Sequence, residues 1–169
     1  LAALDEAWNI TLAPPAPEIP AQASLATLQA RILSRRGDVY LALADPIQAL
    51  TAYEAALSLW RTTTETEGIS GALVAVGRLL VSQGKAQEGM ATFSEALALA
   101  RAGENPALLA KTLNSLGDAY LNLGDYPTAL QTQQEALSAW RSLENLAEQG
   151  ETLRKIGKLN DLIGQQLLL

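Results

Sequence analysis

Neither a cysteine nor a histidine occurs in the 169 residues of this chain. That removes thiolate nucleophiles, disulfides, imidazole acid–base catalysis and the common zinc ligand sets. The glycines are too scattered for a phosphate-binding loop, and neither G-x-G-x-x-G nor a Walker sequence is present. Asp38 and Asp118 have basic residues near them in sequence, but no nucleophile or metal set to work with. The sequence therefore reads as a non-enzyme without a cofactor. The chemistry that remains is recognition. Lys and Arg pair with carboxylates, Asp and Glu with cations, and an Asn amide offers both a donor and an acceptor, as a peptide unit does.

Composition narrows the partners. The net charge of -6 is a poor match to a nucleic-acid backbone. No run approaches the roughly 18 apolar residues of a membrane span, so no membrane insertion is expected. No basic residue precedes Arg31, so a secretory n-region is absent and the cytoplasm is favoured over export. The first residue is Leu1 rather than Met, which reads as a fragment of a longer protein or a processed one. Hydrophobic residues make up 49% of the chain but aromatics only 5%, a balance that suits close packing of Ala- and Leu-rich helices better than a sheet.

The elements that must hold these side chains follow from an internal repeat. Gly37, Gly77, Gly117 and Gly157 are spaced by 40 residues, and Leu33, Leu73, Leu113 and Leu153 keep the same step. Ala49, Gly89 and Ala129 are in register, as are Tyr53, Phe93 and Gln133, then Ala56, Ala96 and Ala136. Trp60, Ala100 and Trp140 follow, and then Arg61, Arg101 and Arg141. Each unit reads as two helices. Asn105-Pro106 and Asp45-Pro46 supply an N-cap followed by Pro in the first turn, and Gly124-Asp125 ends one helix and caps the next. A mid-helix Gly costs about 1 kcal/mol relative to Ala. Its recurrence predicts a neighbouring helix too close for a side chain, with Ala129 and Ala136 serving the same end on the second helix.

Leu113, Leu116, Gly117, Tyr120, Ala129 and Ala136 of the third unit, with their equivalents in the first two, resemble the tetratricopeptide repeat family. The resemblance covers roughly residues 25–165. Departures are Arg36 and Val76 for a Leu, Leu80 for a Tyr, Gly89 for an Ala and Gln133 for an aromatic. The family's usual Pro at the end of the second helix is missing, and the period exceeds its usual ~34 residues. HEAT and armadillo repeats have a similar length but lack this Gly–aromatic and Ala/Ala pattern. The implied fold is all-α: an α-α superhelix of three helix pairs and a C-terminal capping helix, with units at about 25–64, 65–104 and 105–144 and a partial one at 145–169.

In that family the first helices line a concave groove, with positions −6, −3, −2, +1 and +4 from the glycine turned inward. The resemblance thus implies a protein- or peptide-binding face containing Arg35, Asp38, Arg78, Lys111, Asn114, Asp118, Arg154, Lys155 and Lys158. Asn114 stands where family members bond a bound peptide's backbone. Ser34 and Val74 occupy places where a chaperone-type carboxylate clamp needs polar contacts, so that clamp is not expected. The basic lean of these positions favours an acidic partner. The alternative function is a regulatory or assembly domain of a larger enzyme or signalling protein.

The ends differ from the repeats. Residues 1–24 read as a short helix with Leu1, Leu4, Ala7 and Trp8 on one face, then a Pro-rich linker at 13–20. The short helix could end a preceding repeat, because Trp8 resembles Trp60 and Trp140. At the other end, Leu153, Ile156, Leu159, Leu162 and Ile163 are more apolar than a solvent-facing cap requires, so either weak self-association through the C-terminal helix or a fold-back of the Leu167–Leu169 tail over it is expected.

Overall fold

A computed structural model describes residues 21–103 and 105–167, with side chains described from residue 25. The short helix and Pro-rich segment expected at residues 1–20 lie outside it. Seven helices follow one another: α1 (Ala21–Ala42), α2 (Pro46–Trp60), α3 (Thr66–Ser82), α4 (Ala86–Ala102), α5 (Pro106–Asn122), α6 (Tyr126–Ser142) and α7 (Leu146–Gln166). The pairs α1/α2, α3/α4 and α5/α6 stack in order, and α7 packs on α6.

Local chemistry sets the boundaries. The side chains of Asp45, Asn105, Asp125 and Asn145 accept the backbone N–H three residues on, satisfying a donor that the first turn leaves free. Within each pair the first helix ends the same way. The N–H of Asp45, Lys85 and Asp125 returns to the carbonyl of Tyr40, Leu80 and Tyr120 at 2.9–3.0 Å. This closure needs a left-handed residue just before it. Gly84 (φ +80°) and Gly124 (φ +78°) fill that place, but the first unit has Ala44 at φ +58°. An alanine held there costs on the order of 1–2 kcal/mol, which the surrounding closure must offset.

Packing within a pair turns on one contact. A Cβ at Gly37 would lie 2.7 Å from the Tyr53 ring, and one at Gly117 would lie 2.6 Å from the Gln133 amide nitrogen. Gly77 is only slightly looser, at 3.1 Å from Phe93. There the backbones themselves close in, since a Cβ at Gly89 would come within 2.8 Å of the Gly77 carbonyl. Gly157 departs from the expectation: nothing lies within 4 Å of its Cβ position, because no second helix covers α7 among the described residues.

The core continues between units. Trp60, Ala56 and Leu57 pack with Ala72 and Leu73 of the next pair, and Tyr53 with Val76, Leu79 and Leu80. Phe93 and Val81 meet Leu116 and Ala119 in the same manner. Both repeat-register tryptophans are buried packing residues, with the Trp60 indole N–H donating to Ser34 at 3.3 Å. On the outer side Arg61 reaches Glu95 at 2.8 Å and Arg101 reaches Glu135 at 3.8 Å, linking successive second helices. These pairs are exposed and each contributes at most about 1 kcal/mol, so burial of the apolar faces dominates.

The contrast between glycines is testable by thermal or urea unfolding. Gly89→Ala, which would press a methyl on a backbone carbonyl, should destabilise by roughly 1–3 kcal/mol. Gly157→Ala, opening into space within a helix, should stabilise by up to about 1 kcal/mol. Equal effects at the two positions would disprove the close-approach role.

Candidate functional site

Two adjoining recesses lie between the first helices of the pairs. One, of about 400 Å³, reaches from Asp38 on α1 across Gly71, Val74, Ala75 and Arg78 on α3 to Asn122 on α5. A second recess of about 260 Å³ adjoins it, sharing Arg78 and Asn122 and adding Asp118. Small residues on α3 form the floor, and charges stand at the sides. Asp38, Arg78, Asp118 and Lys158 occupy the position just after each repeat glycine, so acid and base alternate from unit to unit.

Each acid is held from two directions. Asp38 accepts a 2.6 Å hydrogen bond from the Tyr53 hydroxyl and a 3.3 Å contact from Arg35. Asp118 accepts 3.2 Å from the Gln133 amide and 2.7 Å from Lys155, whose side chain is mostly covered. The Gln133 amide nitrogen also donates to the Asn114 carbonyl at 3.1 Å, while its Oε1 is buried without a hydrogen-bond partner. The residue that packs on the repeat glycine therefore also reaches the groove. It has a polar tip in units one and three, where the groove residue is Asp, and is Phe93 in unit two, where the groove residue is Arg78.

The other basic candidates are mostly engaged. Lys111 lies 3.7 Å from Glu67, and Arg154 forms a two-pronged pair with Glu151 at 2.7 and 2.9 Å. That hydrogen-bonded pair holds the exposed Glu151 carboxyl below the ordinary glutamate value and raises Arg154. Arg78 and Lys158 are exposed and form no ion pair among the described residues. Asn114 sits lower than its sequence position suggests. It is 8% exposed, and its Oδ1 accepts from Thr152 at 3.2 Å, tying α5 to α7. The structure thus brings Arg35, Asp38, Arg78, Asp118 and Lys155 into the groove wall or its supports, and Lys111 and Arg154 into exposed local pairs. Tyr53, Gln133 and Glu67 were not legible as part of this face. The in-step exchange of Tyr, Phe and Gln with Asp, Arg and Asp was the signal available.

A family model described as the tetratricopeptide repeat matches residues 28–106 and 108–167. This chain belongs to the tetratricopeptide repeat family. The apo form of RapI, a solved structure, is similar to it in fold, with a TM-score of 0.68 at 17% identity over 94% of this chain. The chain spans about half of that one, 54% of its length. Curated proteins gave no match. The tetratricopeptide fold is an interaction scaffold, and no group of three or more metal-ligating side chains occurs among the described residues. None of the described helices is long and apolar enough to cross a membrane.

The Tyr53–Asp38 bond makes a pH prediction. Burial first, and then the hydrogen bond to Asp38, push the Tyr53 phenol above its ordinary value. A raised folded-state value favours the neutral phenol in the fold. Its stabilising contribution is whole below the unfolded value of about 10 and is lost as pH rises toward the folded one. Tyr53→Phe should therefore lose less stability than the wild type between about pH 9 and 11. Parallel slopes in urea unfolding would disprove the linkage.

Proposed function

We propose that this tetratricopeptide array is a non-catalytic scaffold that binds an extended peptide or protein segment along the groove of α1, α3, α5 and α7. One observation carries the reading: Arg78 stands exposed at the centre of the groove, between Asp38 and Asp118, with no ion pair of its own among the described residues. A guanidinium in that setting is available for a partner's carboxylate. Asp38 and Asp118 are already held by Tyr53, Arg35, Gln133 and Lys155, so they bound the site instead of quenching it. Lys158 adds a second uncommitted cation beyond Asp118. The segment bound is acidic at the residue facing Arg78, and the Gly71–Ala75 floor leaves room for its side chain.

Immobilised peptide arrays varying one acidic position provide the test, followed by affinity measurement on the best binder. Arg78→Ala should weaken binding by about 1–3 kcal/mol, since it removes a charge-assisted hydrogen bond, and should leave the melting temperature nearly unchanged. Binding that ignores Arg78, or that maps by NMR to α2, α4 and α6, would overturn the proposal.

A second reading, assembly through the array's end, is supported by exposed Leu146, Leu153 and Leu167 on and after α7. In this reading copies associate weakly through α7, or the array serves as an assembly or regulatory domain of a larger protein. Light scattering over a concentration series should show association that Leu162→Glu reduces. A strict monomer at all concentrations would remove self-association.

A further inference from the structure

A larger recess, of about 710 Å³, lies along α1 and shares Asp38 with the recess around Arg78. Leu28, Arg31, Ile32 and Trp60 line it. Its back wall is preformed. The Trp60 indole N–H donates to Ser34 at 3.3 Å, and a Cβ at Gly68 would lie 2.5 Å from the ring, so the ring is held between α1 and α3. Its rim is apolar and open, with Leu28 55% exposed and Ile32 58%. In the 40-residue register Ile32 corresponds to Ala72, Thr112 and Thr152, all buried, and Leu28 to Gly68 and the buried Leu108. Among the described units, only the first joins two exposed aliphatic side chains here to an uncommitted arginine. Arg31 is exposed and forms no ion pair among the described residues. The recess's one carboxylate, Asp38, already accepts from Tyr53 at 2.6 Å and from Arg35 at 3.3 Å.

We propose that this recess is a second subsite for the segment bound at Arg78. It takes a bulky apolar side chain against Leu28, Ile32 and Trp60, with a carboxylate beside that side chain for Arg31. Two features choose this occupant. Covering the Leu28 and Ile32 rim removes apolar area from water, which a polar side chain cannot exploit. The free guanidinium of Arg31 favours an acidic neighbour and repels a basic one. Resting on the reading of Arg78 as a binding centre, the assignment narrows the partner to a segment both acidic and apolar, in a fixed spacing. Packed neighbouring helices lie on the order of 10 Å apart. An extended chain covers that in about three residues, at roughly 3.3 Å each. The apolar residue therefore stands about three positions from the acidic residue that faces Arg78.

Fluorescence polarisation tests this with labelled peptides in a Gly/Ser background that fixes one Glu and steps one Leu along its flanks. Affinity should peak with the Leu about three residues from the Glu. For that peptide Ile32→Ser should weaken binding roughly tenfold, as expected for exposing one buried apolar side chain. Replacing the Leu by Ser should weaken wild-type binding as much and abolish the Ile32→Ser effect. A second Glu beside the Leu should tighten binding to the wild type and not to Arg31→Ala. Val39→Ser, at an apolar position that is equally exposed but outside the recess, should change nothing. Ile32 is exposed, so circular dichroism of Ile32→Ser should match the wild type. Binding that depends on Arg78 but shows no coupling between the Leu and Ile32, or loses as much with Val39→Ser, would overturn the subsite and leave the Arg78 centre standing. Binding that ignores Arg78 as well, or no binder in the series, would remove both.

Discussion

The contact on which the array depends is the seating of one second-helix side chain against a glycine of the first helix. Tyr53 on Gly37, Phe93 on Gly77 and Gln133 on Gly117 leave no room for a Cβ of ordinary clearance. The glycine gives up about 1 kcal/mol of helix propensity at each place. In return the two helices approach closely and bury the flanking Ala and Leu faces, each burial being worth far more than a surface ion pair. At Gly157 no such side chain is seated among the described residues, and Leu146 and Leu153 of α7 are exposed.

The same contact shapes the groove. A side chain that crosses above the glycine arrives at the residue one step further along the first helix. Tyr53 therefore meets Asp38, and Gln133 meets Asp118. Phe93 has no polar tip, and Arg78, at the corresponding place, keeps its guanidinium for the solvent side. The interior thus decides which groove charges are spoken for. Lys155 continues the pattern across units by reaching back from α7 to Asp118. A face that collects many charges by sequence presents few uncommitted ones once folded, and the net excess of basic positions overstates what a partner would meet.

The fold was legible because its causes are periodic. A 40-residue recurrence of Gly, Leu, Ala and a large second-helix residue specifies paired helices, and the Asp45, Asn105 and Asp125 caps mark where they begin. Each of these signals acts within a few residues or one helix turn, so one sequence carries it. Ala44 shows the limit on the local side: nothing in its neighbours announced a left-handed alanine, which the register with Gly84 and Gly124 demands.

The candidate site was legible as a set of positions but not as a set of available groups. Register alone put Asp38, Arg78 and Asp118 on one face. Pairings such as Gln133 with Asp118, Thr152 with Asn114 and Lys155 with Asp118 join residues 15 to 38 apart in sequence. They depend on the angle and distance between helices, which side-chain volumes over the whole interface set together. The sequence by itself determined the helices and their order, because propensity, capping and hydrophobic period are local. Only the tertiary structure decided that Asn114 is buried, that Arg35, Lys111, Arg154 and Lys155 are paired and that Arg78 is left open, because burial and neutralisation are properties of neighbours brought together by packing.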